Sequence, residues 1–323
     1  MAARTRSRVH PEYKTAYRVR NWPAYEKSLR SRGDLSLWFD EAAVGSWNAR
    51  PSGRRGGQQR YSDLAILTTL TLRSLFHLGL RQAEGFVGSL LRLMDLDLQA
   101  PDHTTLSRRN TNLQVPSVPR RRSGPLHLVI DSTGLKILGD GRWHAHKHRR
   151  SSRKRRWRKL HLGVLQDGHI GAAAVTESTA DDSVVGVDLL AELETPIASF
   201  RADGAYDTRP IYAALEKAGT PDVDIAIPPR RTAAASRPGT GTWRQREDAV
   251  RRIKEVGRRQ WRKESGANQQ ARAENGMYRY KRVLGDRLRA RTMGGQTTEA
   301  MIGVRILNRM TELGRPDSVA VRG

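Results

Sequence analysis

The sequence predicts an α/β protein, a mixed sheet flanked by helices and preceded by a mainly helical N-terminal region. Three observations predict it. Leu64, Leu67, Leu70, Leu75 and Leu78 recur at three-to-four spacing, the period of a helix with one apolar face. After residue 125 the pattern changes to short apolar runs bounded by turn residues, the mark of buried strands. Helical patterns then lie between the later runs, as in a sheet covered by crossover helices.

Taken in order, residues 1–50 mix basic and aromatic residues, with Trp22, Trp38 and Trp47 as expected packing anchors. Ser52-Gly53-Arg54-Arg55-Gly56-Gly57 reads as a loop. A helix follows Tyr61, with Ser62 or Asp63 placed to cap it, and a second covers Ala83 to Met94. Pro101-Asp102-His103-Thr104 opens a third, shorter one. Segment 111–125, with three prolines and the triplet Arg120-Arg121-Arg122, reads as a linker. Strands are expected at Leu126–Ile130, Leu160–Leu165, Ile170–Thr176, Ala198–Ala202 and Val223–Ile227. Helices are expected at about 182–193, 209–217 and 265–284, and an exposed loop at 232–246. The division expected is 1–125 helical, 126–314 sheet-containing and 315–323 a flexible tail.

Lys and Arg number 58 against 33 Asp and Glu, a formal net charge of +25. Such a surplus suits a polyanion, and nucleic acid is the usual one. With no cysteine, disulfides and thiolate zinc sites are excluded. The basic N-terminus lacks the apolar stretch of a secretory signal, and no apolar run approaches the ~18 residues of a membrane span. A soluble, unexported protein without membrane partners is expected.

Against this charge three carboxylates stand out. Asp131 ends the run Leu126-His127-Leu128-Val129-Ile130, Asp203 follows a second run, and Glu274 lies in a helical stretch. Strand ends hold side chains rigidly where loops admit a substrate. Three such carboxylates could hold two divalent ions ~3.5–4 Å apart for phosphodiester chemistry. The competing reading is that Asp131 and Asp203 merely cap turns.

The motifs Ile130-Asp131-Ser132-Thr133-Gly134, Trp157-Arg158-Lys159-Leu160-His161, Ala202-Asp203-Gly204-Ala205-Tyr206-Asp207, Ile227-Pro228-Pro229-Arg230 and Glu274 followed by Lys281 resemble, in order and spacing, a bacterial insertion-sequence transposase of the DDE type. Upstream, Asn21-Trp22-Pro23, Trp38-Phe39-Asp40 and Arg81-Gln82-Ala83-Glu84-Gly85-Phe86 are similar to that family's N-terminal region. The resemblance runs from about residue 13 to 314. It implies a ribonuclease-H-like core in which Asp131, Asp203 and Glu274 are catalytic and bind two Mg²⁺ (or Mn²⁺) ions. It further implies cleavage at terminal inverted repeats, transfer of the 3′-hydroxyl into target DNA, and a homodimer or larger synaptic assembly. A bacterial cytoplasm, at the nucleoid, is the implied location. The chain departs from the family signature in having Ala267 and Gln270 where a Tyr and an Arg are usual.

Lys281, two turns after Glu274 on nearly the same helix face, is expected to meet a DNA phosphate. Between Arg142 and Lys159 ten of eighteen residues are Lys or Arg and none is acidic. DNA-backbone contact is therefore expected from Arg153, Lys154, Arg155, Arg156, Trp157, Arg158 and Lys159, and also from Arg230 in its motif. A second basic run, Arg251 to Lys263, reads as a helix face near DNA. His144, His146 and His148 alternate but have no carboxylate among them, so metal binding there is not expected. Asp181, Asp182 and Asp207 read as helix caps, and the N-terminal helices could contain a helix-turn-helix. Two other readings stay open: a non-catalytic DNA-binding remnant of a transposase, and a structure-selective nuclease on the same core.

Overall fold

A computed structural model describes residues 16–39, 41–51, 53, 55–118, 123–138, 157–234 and 240–321. The N-terminal part comprises β1 (Ala16–Val19), α1 (Trp22–Ser31), α2 (Glu41–Gly45), α3 (Asp63–Leu75), α4 (Leu80–Leu93) and α5 (His103–Arg109). Local chemistry sets the helix starts. Ser62 Oγ accepts from Ala65 N at 3.1 Å to cap α3. Asp102 Oδ1 accepts from Thr104 N and Thr105 N, both at 2.9 Å, to cap α5. Along α4 the buried residues Ala83, Val87 and Leu91 recur every four positions. In α3 every residue from Ala65 to Arg73 is buried, so this helix is the centre of its cluster.

The sheet is built from β2 (Leu126–Ile137), β3 (Trp157–Leu165), β4 (Ile170–Glu177), β5 (Ile197–Arg201) and β6 (Gly219–Ala226), in the order β4-β3-β2-β5-β6. Between β4 and β5 runs α6 (Asp182–Ala191), and between β5 and β6 runs α7 (Arg209–Ala218). Then follow α8 (Gly241–Glu264), α9 (Ala271–Leu284), β7 (Arg287–Leu288), which joins the far end of β2, and α10 (Met293–Leu313). The β2–β3 and β3–β4 pairs are antiparallel, whereas β2–β5 and β5–β6 are parallel. The result is a six-stranded mixed sheet flanked by helices, the expected class.

Alternation along β2 makes two cores. Leu126, Leu128 and Ile130 pack with Phe200 under α6 and α7, through Leu189, Leu190, Ile211 and Leu215. Val129 and Leu135 pack on the other face with Leu160, Leu162 and Val164 beneath α9 and α10, through Ala273, Met277, Ala300 and Leu307. A third core joins Phe39, Trp47, Ile66, Leu70, Leu91 and Leu106 to Ile302, Ile306 and Met310 of α10. The last helix thus packs against the N-terminal helices as well as the sheet.

Several expectations are corrected. The 315–323 tail contains β8 (Ser318–Val321), antiparallel to β1 with Ala16 opposite Val321. Within the 111–125 segment Leu113 and Val118 are buried, so it is packed chain rather than a free linker. The expected loop at 232–246 gives way to α8 from Gly241 onward. Trp47 is buried, but Trp22 is 53% exposed and anchors no core. The helix expected over 265–284 is divided into a 3-10 turn, Ala267–Gln270, and α9. Among the described residues no helix is long and apolar enough to cross a membrane.

Candidate active site

Val129 of β2 pairs with Arg201 of the parallel β5, and Asp131 and Asp203 each lie two residues beyond that pair. Asp203 is still extended (φ −79°, ψ 178°) before the chain enters the 3-10 turn Gly204–Tyr206. Strands are about 4.8 Å apart and side chains repeat every second residue, so the two carboxylates leave neighbouring strands at one level and on one face. That face is the one covered by α9 and α10, because Asp131 shares it with Val129 and with its β3 partner Leu162.

Asp203 ends its strand as expected. Asp131 does not: Ser132, Thr133 and Gly134 continue β2 opposite His161, Leu160 and Lys159. Ladder pairing with β3 outweighs the weak strand preference of Ser-Thr-Gly. On the other side of β2 pairing with β5 stops at Val129 and β7 begins only at Lys136, which leaves an open edge beside Asp131.

Glu274 lies in the first turn of α9, where the helix dipole favours an anion, and its side chain is exposed. The helix rests on β2 and β3. Burial pushes the Asp131 carboxyl up to about 6, and repulsion from Asp203, Glu274 and Asp182 adds to it, while the Ser132 N–H opposes. Seven residues after Glu274, Lys281 Nζ donates to Thr133 Oγ1 at 2.7 Å and fastens α9 to the strand that carries Asp131. Below Asp203 the Gly204 Cα is so near the Pro228 carbonyl that a Cβ would stand 3.1 Å from that oxygen. This close approach holds the turn. Asp203 Oδ1 also accepts from Ala205 N at 2.9 Å, so it does cap the turn, but only one of its oxygens is used in this way.

Brought together, the carboxylates of Asp131, Asp203 and Glu274 would offer only oxygen donors of like charge, the kind that hard divalent cations take. In donor chemistry they fit Mg²⁺ or Mn²⁺. Among the described residues no three His, Cys, Asp or Glu side chains are gathered into a ligand set.

Two family models, each described as a transposase DDE domain, match the chain, one over residues 30–140 and the other over residues 122–309. The chain belongs to the DDE transposase family. Its mixed sheet, with three antiparallel strands followed by two parallel ones, is consistent with the ribonuclease-H-like core of a DDE domain.

The residues expected to meet DNA in this transposase chain fall into different places. Arg153, Lys154, Arg155 and Arg156, and with them His144, His146 and His148, lie outside the described residues. Arg158 is buried; its Nε donates to Gln296 Oε1 at 2.7 Å and its guanidinium pairs with Glu177, so it joins β3 to α10 rather than facing a ligand. Lys159 is likewise taken up, donating to Ala180 O at 2.8 Å and Asp182 Oδ1 at 3.1 Å. Trp157 is 38% exposed and lies over Gly134, where a Cβ would come within 3.1 Å of its ring. The Arg230 side chain is exposed, and its N–H donates to Asp207 Oδ2 at 3.2 Å.

Of the expected caps only Asp181 caps α6, accepting from Ser183 N at 2.8 Å. Asp182 points instead to Lys159 and contributes to the field at Asp131. Asp207 is buried in a pair with Arg246 and leaves Thr208 at the start of α7 without a side-chain cap. The sequence reading missed Thr133 and Asp182. Strand alternation placed Thr133 on the face of Asp131 and could have found it, whereas nothing local marks Asp182.

Proposed function

We propose that this chain is a DNA transposase that binds the terminal inverted repeats of an insertion sequence, cleaves strands there and joins the freed 3′-hydroxyl to target DNA. The observation that carries this is that Asp131 and Asp203 each lie two residues beyond the parallel pair Val129–Arg201, with the helix bearing Glu274 packed over the Val129 face of the sheet. Family membership gives the transposase role, and the finer steps are read from these residues. Asp131, Asp203 and Glu274 would hold the divalent ions and set their place relative to the open edge of β2. Two bound Mg²⁺ or Mn²⁺ ions would supply Lewis-acid stabilisation of the attacking and leaving oxygens. Lys281, released from Thr133, would meet a phosphate beside the scissile bond as a point charge. The +25 charge would hold duplex DNA against the site, and pairing two element ends would call for a dimer or larger assembly.

The test uses the full chain, a duplex carrying an element end, and Mg²⁺. Asp131→Asn, Asp203→Asn and Glu274→Gln should each abolish strand cleavage while duplex binding persists. Cleavage surviving in Asp131→Asn would refute the site. Binding without cleavage in the unmutated chain would favour a non-catalytic remnant, and cleavage of branched DNA without strand joining would favour a structure-selective nuclease.

A further inference from the structure

The long basic helix α8 is divided by charge as well as by shape. Gly257 breaks it with φ 80° and ψ 157°, a conformation almost confined to glycine. Before the break, Arg244, Arg246, Arg251 and Arg252 each face a carboxylate: Asp248, Asp207 with Glu247, Asp248, and Glu255 with Glu264. After it, Arg258, Arg259, Arg262 and Lys263 have no ion-pair or hydrogen-bond partner among the described residues. These four line an open groove of about 460 Å³ with Arg231 and Asn268, and among the described residues no acidic one lines it.

Uncompensated cations gathered on one surface repel one another, and an anion is what relieves them. The shape of the set indicates which anion. Residues 258 to 263 rise about 7.5 Å along a helix axis, so the charges form a short track rather than a single cradle. At 3.4 Å per nucleotide of one strand, that track covers about two to three successive phosphates. The aromatic residue in this stretch, Trp261, is 5% exposed and packs with Ala226 and Ala267, so the groove offers charge without a base-stacking surface. Asn268 belongs to the turn that touches β2 and β5 and stands six residues before Glu274, which puts the groove's rim within about 20 Å of that carboxylate along the chain.

We infer that the groove between the end of α8, Arg231 and Asn268 binds the sugar-phosphate backbone of the DNA strand entering the Asp131–Asp203–Glu274 cleft, without reading its bases. The inference rests on the transposase reading for the identity of the polymer. It makes Arg244, Arg246, Arg251 and Arg252 structural ties and the four unpaired cations after Gly257 the contact surface.

The test compares the full chain with the quadruple variant Arg258→Gln, Arg259→Gln, Arg262→Gln, Lys263→Gln. Fluorescence anisotropy of a random-sequence 30-base-pair duplex is measured between 50 and 300 mM salt. The expected result is a plot of log affinity against log salt that is shallower by about 2 to 3, with the same loss on unrelated sequences. A variant carrying Lys at all four positions should regain the slope, which separates lost charge from a damaged fold. An unchanged slope in the Gln variant overturns the groove assignment and leaves the transposase reading standing. Failure of the unmutated chain to bind duplex at all overturns both.

Discussion

Lys281 Nζ lies 2.7 Å from Thr133 Oγ1, across 148 residues of chain, and this bond spans the two elements that carry Glu274 and Asp131. Thr133 is two residues along β2 from Asp131, on the same face, and Lys281 is two helical turns from Glu274. In the chain without DNA this charge-assisted hydrogen bond, a class worth about 1.5–3 kcal/mol, adds to the apolar packing of Ala273, Met277 and Tyr280 that seats α9 on the sheet. Thr133→Val should lower the single-turnover cleavage rate roughly tenfold while leaving duplex affinity unchanged, because it removes a positioning contact and no charge. Lys281→Met should lower both. A Thr133→Val rate within twofold of the unmutated chain would show that the bond does not position the site.

Asp131 gives a pH dependence with a definite sign. Burial first, and then the charges of Asp203, Glu274 and Asp182, hold its carboxyl at about 6 against an ordinary 3.8. The folded state therefore binds this proton more tightly than the unfolded state. The group's stabilising contribution is complete below the unfolded value and is lost as pH rises through about 6. Asp131→Asn should melt higher than the unmutated chain at pH 7.5, and the difference should close below pH 4. Millimolar Mg²⁺ should raise the melting temperature of the unmutated chain and not that of the variant. A variant that melts lower at pH 7.5 would remove the desolvated-carboxylate account of this residue.

What the sequence disclosed was what is local or strictly periodic. The caps at Ser62, Asp102 and Asp181 need only a side chain and the next turn, and the apolar runs centred on β2 to β6 need only alternation or burial. The places of Asp131, Asp203 and Glu274 in the fold were legible because each follows or lies in such an element. Long-range pairing was not legible. The continuation of β2 through Ser132-Thr133-Gly134 depends on β3, and the use of Arg158 and Lys159 as internal ties depends on Gln296, Glu177 and Asp182. Helix α10 escaped notice because it is buried on several sides. Gln296, Thr298, Asn308 and Thr311 are buried among its apolar residues and erase the stripe that would have marked it. Its Gly303 permits the close packing, since a Cβ there would come within 2.6 Å of Leu284.

The buried pair of Asp207 and Arg246 sets the position of α8 against the turn that follows Asp203. Asp207 Oδ1 accepts from Arg246 Nε at 2.8 Å and Oδ2 from a second guanidinium nitrogen at 3.2 Å, while Oδ2 also takes the Arg230 N–H. Removing Asp207 leaves the guanidinium of Arg246 with Glu247 alone, and breaking a buried pair of this kind costs up to about 3–5 kcal/mol. Asp207→Ala should lower the urea midpoint accordingly. Replacing both residues should cost less than the sum of the single changes. Additivity within about 0.5 kcal/mol would show that the two side chains do not act as a pair.

The turn before Glu274 accounts for the chain's departure from the family signature. Ala267 is 5% exposed and packed with Ala226 and Trp261, whereas Gln270 is half-buried at the N-terminal edge of α9. A tyrosine at 267 would overfill that cluster, so Ala267→Tyr should lower stability by about 1–3 kcal/mol. Gln270 is partly exposed, and a cation there would stand one turn before Glu274. Gln270→Arg should tighten duplex binding at low salt and steepen the salt dependence by about one phosphate contact. Anisotropy titrations and thermal melts of the two single variants check these effects separately. If Ala267→Tyr melts with the unmutated chain, the small residue at 267 is not required by packing. If Gln270→Arg leaves the salt slope unchanged, the turn does not border the DNA.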